Sequence, residues 1–310
     1  MIFCSAPRSW LRPPMPEPVP AAPADPPERA EFERSPSDIG TIGAVEAPLA
    51  RGERLFGNIA FRRALVLIGI AVLWEAYGRW LHDSLLFPTF TDTLRVFVQG
   101  CLSGSLSGRI LTSLRVLLIG YVAGVALAGM LTTLAISTRT GNDILTVLTA
   151  MFNPLPAIAL LPLALIWFGL GTFSIVFVLI HGVLWAVVLN TSAGFRAVPE
   201  TLRMSGRNVG LSGVRYVTQI LMPAASASIL AGLKIGWAFA WRTLIAAELV
   251  FGVSSRSGGL GWYIFQAREE LETAKVFAGL FAVILIGLLV ESVIFRAIEA
   301  RTVRRWGMQR

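Results

Sequence analysis

The sequence predicts an all-α integral membrane protein that crosses the bilayer six times, with both termini on the arginine-rich side. Three observations predict it. Of 310 residues, 55% are hydrophobic and only 15% charged, and mean hydropathy is +0.66; soluble proteins carry about 25% charged residues. Beyond about residue 60, apolar runs approach the roughly 20 residues that a bilayer crossing needs. The basic residues gather at the ends of those runs rather than in a stripe with interleaved aromatics, so the net charge of +8 fits anionic lipid and the positive-inside rule better than nucleic acid. Cys4 and Cys101, the only cysteines, fall on opposite sides of this topology. They offer no disulfide framework or thiolate metal site.

Residues 1–55 hold eleven of the seventeen prolines. Such a segment buries too little apolar surface to offset its ordering entropy and reads as a disordered, Pro-rich cytoplasmic tail; residues 56–310 read as the membrane domain. Arg62 and Arg63 precede the first span, Ala64–Leu81. The external segment after it carries a short amphipathic helix over Thr91–Val98. The second span is Leu111–Ile136, with Gly120 and Gly124 offering a close-packing face, and a tight turn over Ser137–Asp143 follows. The third, Ile144–Phe168, contains Asn153, Pro154, Pro156 and Pro162. Prolines there free carbonyls and kink the helix, which is tolerated where the backbone faces protein or a water-lined path. The fourth span is Phe173–Ala193, the fifth Ala227–Phe251 and the sixth Val276–Ile298.

Orientation follows from the arginines. One side of the six spans collects Arg62, Arg63, Arg139, Arg196, Arg203, Arg207, Arg215, Arg296 and Arg301, whereas the other dilutes its basic residues with Asp83, Asp92, Glu269, Glu270 and Glu272. Both termini and the fourth-to-fifth connection are therefore expected to be cytoplasmic.

That connection, Gly194–Pro223, organises the chain. Its four arginines face a single acid, Glu200. Pro199 suits a first helical turn, Gly210 the left-handed position that ends a helix, and Ser212 the cap of a second short helix. Pro223 opens the next span. The expected local form is helix, glycine elbow, helix.

This stretch resembles the cytoplasmic coupling loop of ABC-importer permeases, written EAA, three residues, G, nine residues, I-x-L-P. Gly210, Ile220 and Pro223 fall at the required spacing and Met222 replaces the leucine. The triplet holds Met204, Ser205 and Gly206, so two small residues remain and the acid is absent. The likeness extends from about residue 60 to the end. Pro154-Leu155-Pro156-Ala157-Ile158-Ala159-Leu160-Leu161-Pro162 and Trp167-Phe168-Gly169-Leu170-Gly171 are similar to one branch, the permeases of nitrate, taurine, alkanesulfonate and bicarbonate importers. So are Ala246-Ala247-Glu248, Gly258-Gly259-Leu260-Gly261 and Phe87-Pro88-Thr89.

The resemblance implies a multi-pass protein of the bacterial inner membrane that forms the translocation path for a small, anionic solute. It implies a second copy of the permease, two ATPase subunits that carry ATP and Mg, and an external substrate-binding protein. No cofactor is expected on this chain: a P-loop lysine follows glycine, whereas Lys234 follows Leu233 and Lys275 follows Ala274. The expected ATPase-coupling residues are Glu200, Arg203, Met204, Ser205, Gly206, Arg207, Gly210, Ile220 and Pro223. Ser205 and Gly206 would allow close approach of the ATPase, with Arg203 and Arg207 meeting its polar or acidic groups.

Ionisable residues within spans are functional candidates because burying them in lipid is costly. The candidate path comprises Asn153, Pro154, Pro156, Pro162, Lys234, Arg242 and Glu248. Lys234 and Arg242 could attract an anion, and Lys234 could equally snorkel to the interface. Glu75 and His181 each fit a pathway role or helix packing. Two other classes compete. An ion-coupled secondary carrier would use Glu75, Glu248 and Glu291 as ion sites. A remote third reading, an intramembrane serine protease, rests on Gly210-Leu211-Ser212-Gly213, but His82 and His181 both precede the serine.

Overall fold

The computed structural model describes residues 59–136, 138–250 and 258–302. The expected tail over 1–55 lies outside them. Chain contacts divide the protein into units 1–62 and 63–310, and the description below concerns the second, apart from the first residues of helix α1.

Every regular element among the described residues is helical. Helix α1 spans Ile59–Leu81, α2 Phe90–Leu102 and α3 Ser105–Ile136. Helices α4 (Arg139–Phe152) and α5 (Leu161–Phe168) flank a 3-10 turn at Ala157–Leu160, and α6 covers Thr172–Arg196. After α7 (Glu200–Asn208) and α8 (Gly213–Tyr216) come α9 (Ser226–Val250), α10 (Leu260–Glu269), α11 (Thr273–Leu289) and α12 (Arg296–Arg301). Among the described residues, five helical stretches are long and apolar enough to cross a membrane, and six if α4 and α5 make one broken span. The expected turn over Ser137–Asp143 is shorter than anticipated. Thr138 caps α4 by accepting from the Gly141 N–H, so α4 has already begun at Arg139.

The third span departs most from the sequence expectation. It is bent by 87° between α4 and α5. Pro154 and Pro156 lack the N–H a helix would use; Asn153 still holds helical angles at φ −63° and ψ −36°, and the chain leaves them at Pro156 with ψ 123°. No straight helix can pass residues 153–156. Pro162 sits instead in the first turn of α5, where its missing donor is harmless.

The bundle is built around α6, which packs between α3 and α9. Leu117, Leu179, Val183, Val188 and Leu244 are buried at their contacts. Glycine permits this closeness on α3: a Cβ at Gly120 would lie 2.7 Å from Leu179 Cβ, and one at Gly124 2.8 Å from Val183 Cβ. Gly120→Val is expected to cost about 1–3 kcal/mol through overpacking, read as a lower melting temperature in detergent. An unchanged melting temperature would show that the two helices separate freely at this point.

Glu75 is engaged locally, where α1 meets α2. It accepts the Thr91 N–H at 3.0 Å, in the first turn of α2, and pairs with Arg79 at 2.7 Å. Beside it, Trp74 donates to the Pro88 carbonyl at 3.0 Å and its ring meets Phe87, Phe90 and Phe277. The Phe87-Pro88-Thr89 element thus ties α1 to α2 and α11.

Candidate functional site

The connection between α6 and α9 forms the helix–elbow–helix expected. Gly210 takes φ +78°. The Gly210 N–H bonds to the Arg207 carbonyl at 2.9 Å and the Leu211 N–H to the Gly206 carbonyl at 3.1 Å, the paired bonds of a glycine-terminated helix. Two local expectations change. Ser212 stands at the start of α8, but its side chain makes no capping bond, and Gly213 takes φ +56° beside it. Pro223 does not open a span. Helical structure runs from Gly213 through a π turn at Val217–Leu221 to Ala224, and α9 begins after a break at Ala225.

Arg203 and Gly206 face inward. The Arg203 guanidinium donates to the carbonyls of Phe195 at 2.5 Å and Val198 at 3.1 Å, covering the C-terminal end of α6. There it meets the last carbonyls of the helix and the negative end of the helix dipole. Gly206 is buried, and a Cβ on it would lie 2.9 Å from Ile220 Cγ1 and 3.2 Å from Tyr216 Cε2. Gly206 of the altered triplet therefore serves packing within the loop. Phe195, Val198, Val217, Leu221 and Ala225 are buried beneath it. Facing out are Glu200, Met204, Ser205, Arg207, Val209 and Gly210, with Met204 55% and Val209 72% exposed. Exposed apolar side chains among charges mark a surface suited to a partner.

A second site lies at the break in the third span. Asn153, Pro154, Pro156, Ala157, His181, Trp185 and Arg242 are among the residues lining a cavity of about 330 Å³ between α4, α6 and α9. A cavity of about 280 Å³ shares Asn153 and Pro154 and continues along α4 and α6 to Arg196. Four of the sequence-predicted path residues thus converge, namely Asn153, Pro154, Pro156 and Arg242. Pro162, Lys234 and Glu248 line neither cavity.

Lys234 is drawn to another partner. Its Nζ lies 2.6 Å from Glu299 Oε2, joining α9 to α12. Glu248 is buried at 5% exposure. It accepts from the Ser113 hydroxyl at 2.7 Å and the Gly261 N–H at 2.7 Å, while Ser113 Oγ accepts the Leu260 N–H at 2.7 Å. Arg109 adds a bond to the Gly258 carbonyl at 2.7 Å. A Cβ at Gly259 would lie 2.1 Å from Glu248 Oε1. The Ala-Ala-Glu and Gly-Gly-Leu-Gly elements are therefore two halves of one buried polar joint. Sequence reasoning missed Ser113 and Arg109, which carry no local pattern. It also passed over Arg115, an exposed arginine inside the second apolar run that a search for charges within spans would have found.

Among the described residues, an all-helical bundle with five or six apolar spans, a glycine-ended helix and elbow, and a cavity at a broken span has the form of a multi-pass membrane transporter subunit. Residues 110–304 match the model of the binding-protein-dependent transport system inner membrane component, and the chain belongs to that family, the permease subunits of ABC importers. The taurine transport system permease protein of Escherichia coli is 30% identical, covering 72% of this chain and 81% of its own length. A Synechocystis nitrate import permease protein is 30% identical, covering 76% and 87%. A Bacillus subtilis permease protein named for aliphatic sulfonates transport is 29% identical over 86% and 95%. Family membership supports neither the ion-coupled carrier nor the protease.

Proposed function

We propose that this permease moves a small anion, of the sulfonate, taurine or nitrate kind, through a path formed by two copies of the chain. The relatives' names support the solute class, and the two arginines at either end of the paired cavities, Arg242 and Arg196, suit a negative charge. Both termini and the α7 loop lie in the cytoplasm in this reading. An external binding protein delivers the solute, and a separate ATPase binds ATP and Mg and seats α7 in a surface groove. Closure of the ATPase pair would carry α7, and with it α6 and α9, from the inward-open to the outward-open arrangement.

The observation that carries the coupling reading is the α7 surface. A partner can reach Met204, Ser205, Arg207 and Val209, whereas Arg203 and Gly206 are committed to the permease itself. Gly210→Arg tests it. No atom lies within 4 Å of a Cβ there, so the residue has room, but φ +78° penalises it by about 1–2 kcal/mol. Membrane insertion should be retained and anion uptake by proteoliposomes containing the assembled transporter should fall at least several-fold. Normal uptake by the variant would sink the coupling role. Co-purification of the wild-type chain without any ATPase would count against the reading as a whole.

A further inference from the structure

The 330 Å³ cavity contains a cluster of buried polar atoms that the fold leaves unused. Trp185 is 8% exposed and its indole N–H has no hydrogen-bond partner; neither ring nitrogen of His181 has one. The two rings are neighbours on α6, with centroids 6.4 Å apart. An unpartnered buried donor is costly and is expected to have a reason.

What covers the pair is Phe152. Its ring stacks on Trp185 at 5.4 Å and 12° and meets His181 edge-on at 6.4 Å. Phe152 is the last residue of α4, next to the 87° break. Any change in that bend moves this ring. Around the pair, the described lining adds Asn153, Thr243 and Arg242 and includes no carboxylate. Indole and guanidinium donate only, so the site has a surplus of donors and one fixed positive charge. Its volume is at the small end of ligand pockets.

Resting on the anion-import reading above, we infer that Trp185 and His181, with Arg242, form a transient oxyanion site that Phe152 covers and uncovers as the broken span bends. A sulfonate, nitrate or similar group would receive the Trp185 N–H and an imidazole N–H once the Phe152 ring moves aside. Trp185 and His181 would then distinguish solutes by their acceptor oxygens, after the binding protein has released them.

The test uses the assembled transporter in proteoliposomes, with Cys4→Ser and Cys101→Ser as background. His181→Cys is treated with two thiosulfonate reagents of similar size, one ending in a sulfonate and one in a trimethylammonium group. The sulfonate reagent should react about ten-fold faster or more, as expected beside a cation, and Phe152→Ala should accelerate both. Separately, Trp185→Phe, which keeps the ring and removes the N–H, should reduce the solute moved per ATP several-fold. Equal labelling by the two reagents, or faster labelling by the cation, would overturn the proposal. So would an unchanged transport ratio in Trp185→Phe. Should His181→Cys fail to assemble, Thr243→Cys supplies the same comparison from α9. Failure of the underlying reading looks different: the wild-type transporter itself would then move no anion.

Discussion

Glu248→Ala is expected to destabilise the membrane domain more than any other single truncation of a polar side chain. It removes the acceptor for the Ser113 hydroxyl and the Gly261 N–H at once, inside a region where Glu248 is 5% exposed. An orphaned buried donor costs about 1–3 kcal/mol. Two of them predict a fall of about 4–24 °C in the melting temperature of the detergent-solubilised complex, at roughly 2–4 °C per kcal/mol for a domain of this size. Gly259→Val should reach a similar end from the other side, because its Cβ would lie 2.1 Å from Glu248 Oε1 and 2.2 Å from Ser113 Oγ. Since both changes strike one joint, the double variant should lose far less than the sum. A melting temperature for Glu248→Ala within a degree or so of wild type would show that the joint contributes nothing to stability.

Gly206→Leu is expected to abolish most transport while leaving the protein in the membrane. Even a Cβ would press on Ile220 Cγ1 at 2.9 Å and on the Tyr216 ring at 3.2 Å, and a leucine must lift α7 from the π turn. Displacements of this kind cost about 1–3 kcal/mol, enough to change the position of the helix that the proposed coupling relies on. Anion uptake should fall about ten-fold or more, whereas the amount of inserted chain should not change. Ile220→Ala in the same chain removes the obstructing atoms and should restore part of the activity. Restoration is the informative readout, because mere misfolding would not be repaired by a second truncation. Uptake by Gly206→Leu at the wild-type rate would rule out packing of α7 on the π turn as a step in coupling.

Local chemistry explains what was legible beforehand. Gly210 could be recognised because a left-handed helix end nearly demands glycine, and the structure places it at φ +78°. The span positions followed from apolar run length, and the fracture of the third span from the prolines at 154 and 156. The size of the bend did not follow, since proline dictates that a helix stops and not where the chain goes next. Long-range pairings were also invisible. Lys234 meets Glu299, 65 positions away, and Glu248 meets Ser113, 135 positions away. Periodicity says which face of a helix is buried and is silent about which neighbour lies against it. The same limit hid the inward turn of Gly206 and Arg203: the spacing that matched the loop gave the residue types but not the side of the helix they serve. The cavity was half legible. Prolines and Asn153 pointed to it, whereas the cluster of Phe152, His181 and Trp185 exists only because α4 ends against the middle of α6.

The two attachments of α7 differ in kind, and that difference has a mechanical consequence. On the α6 side, the Arg203 guanidinium grips Phe195 and Val198 through directional bonds to carbonyl oxygens. On the other side, Gly206 of α7 rests against Ile220 of the π turn and Tyr216 of α8, and the chain between passes two glycines with positive φ, Gly210 and Gly213. The first attachment is a stiff weld that holds or breaks; the second is a greased bearing with a swivel next to it. A force applied to α7 would therefore reach α6 almost undiminished and α9 only after slack had been taken up. The fourth span would lead the stroke and the fifth would follow.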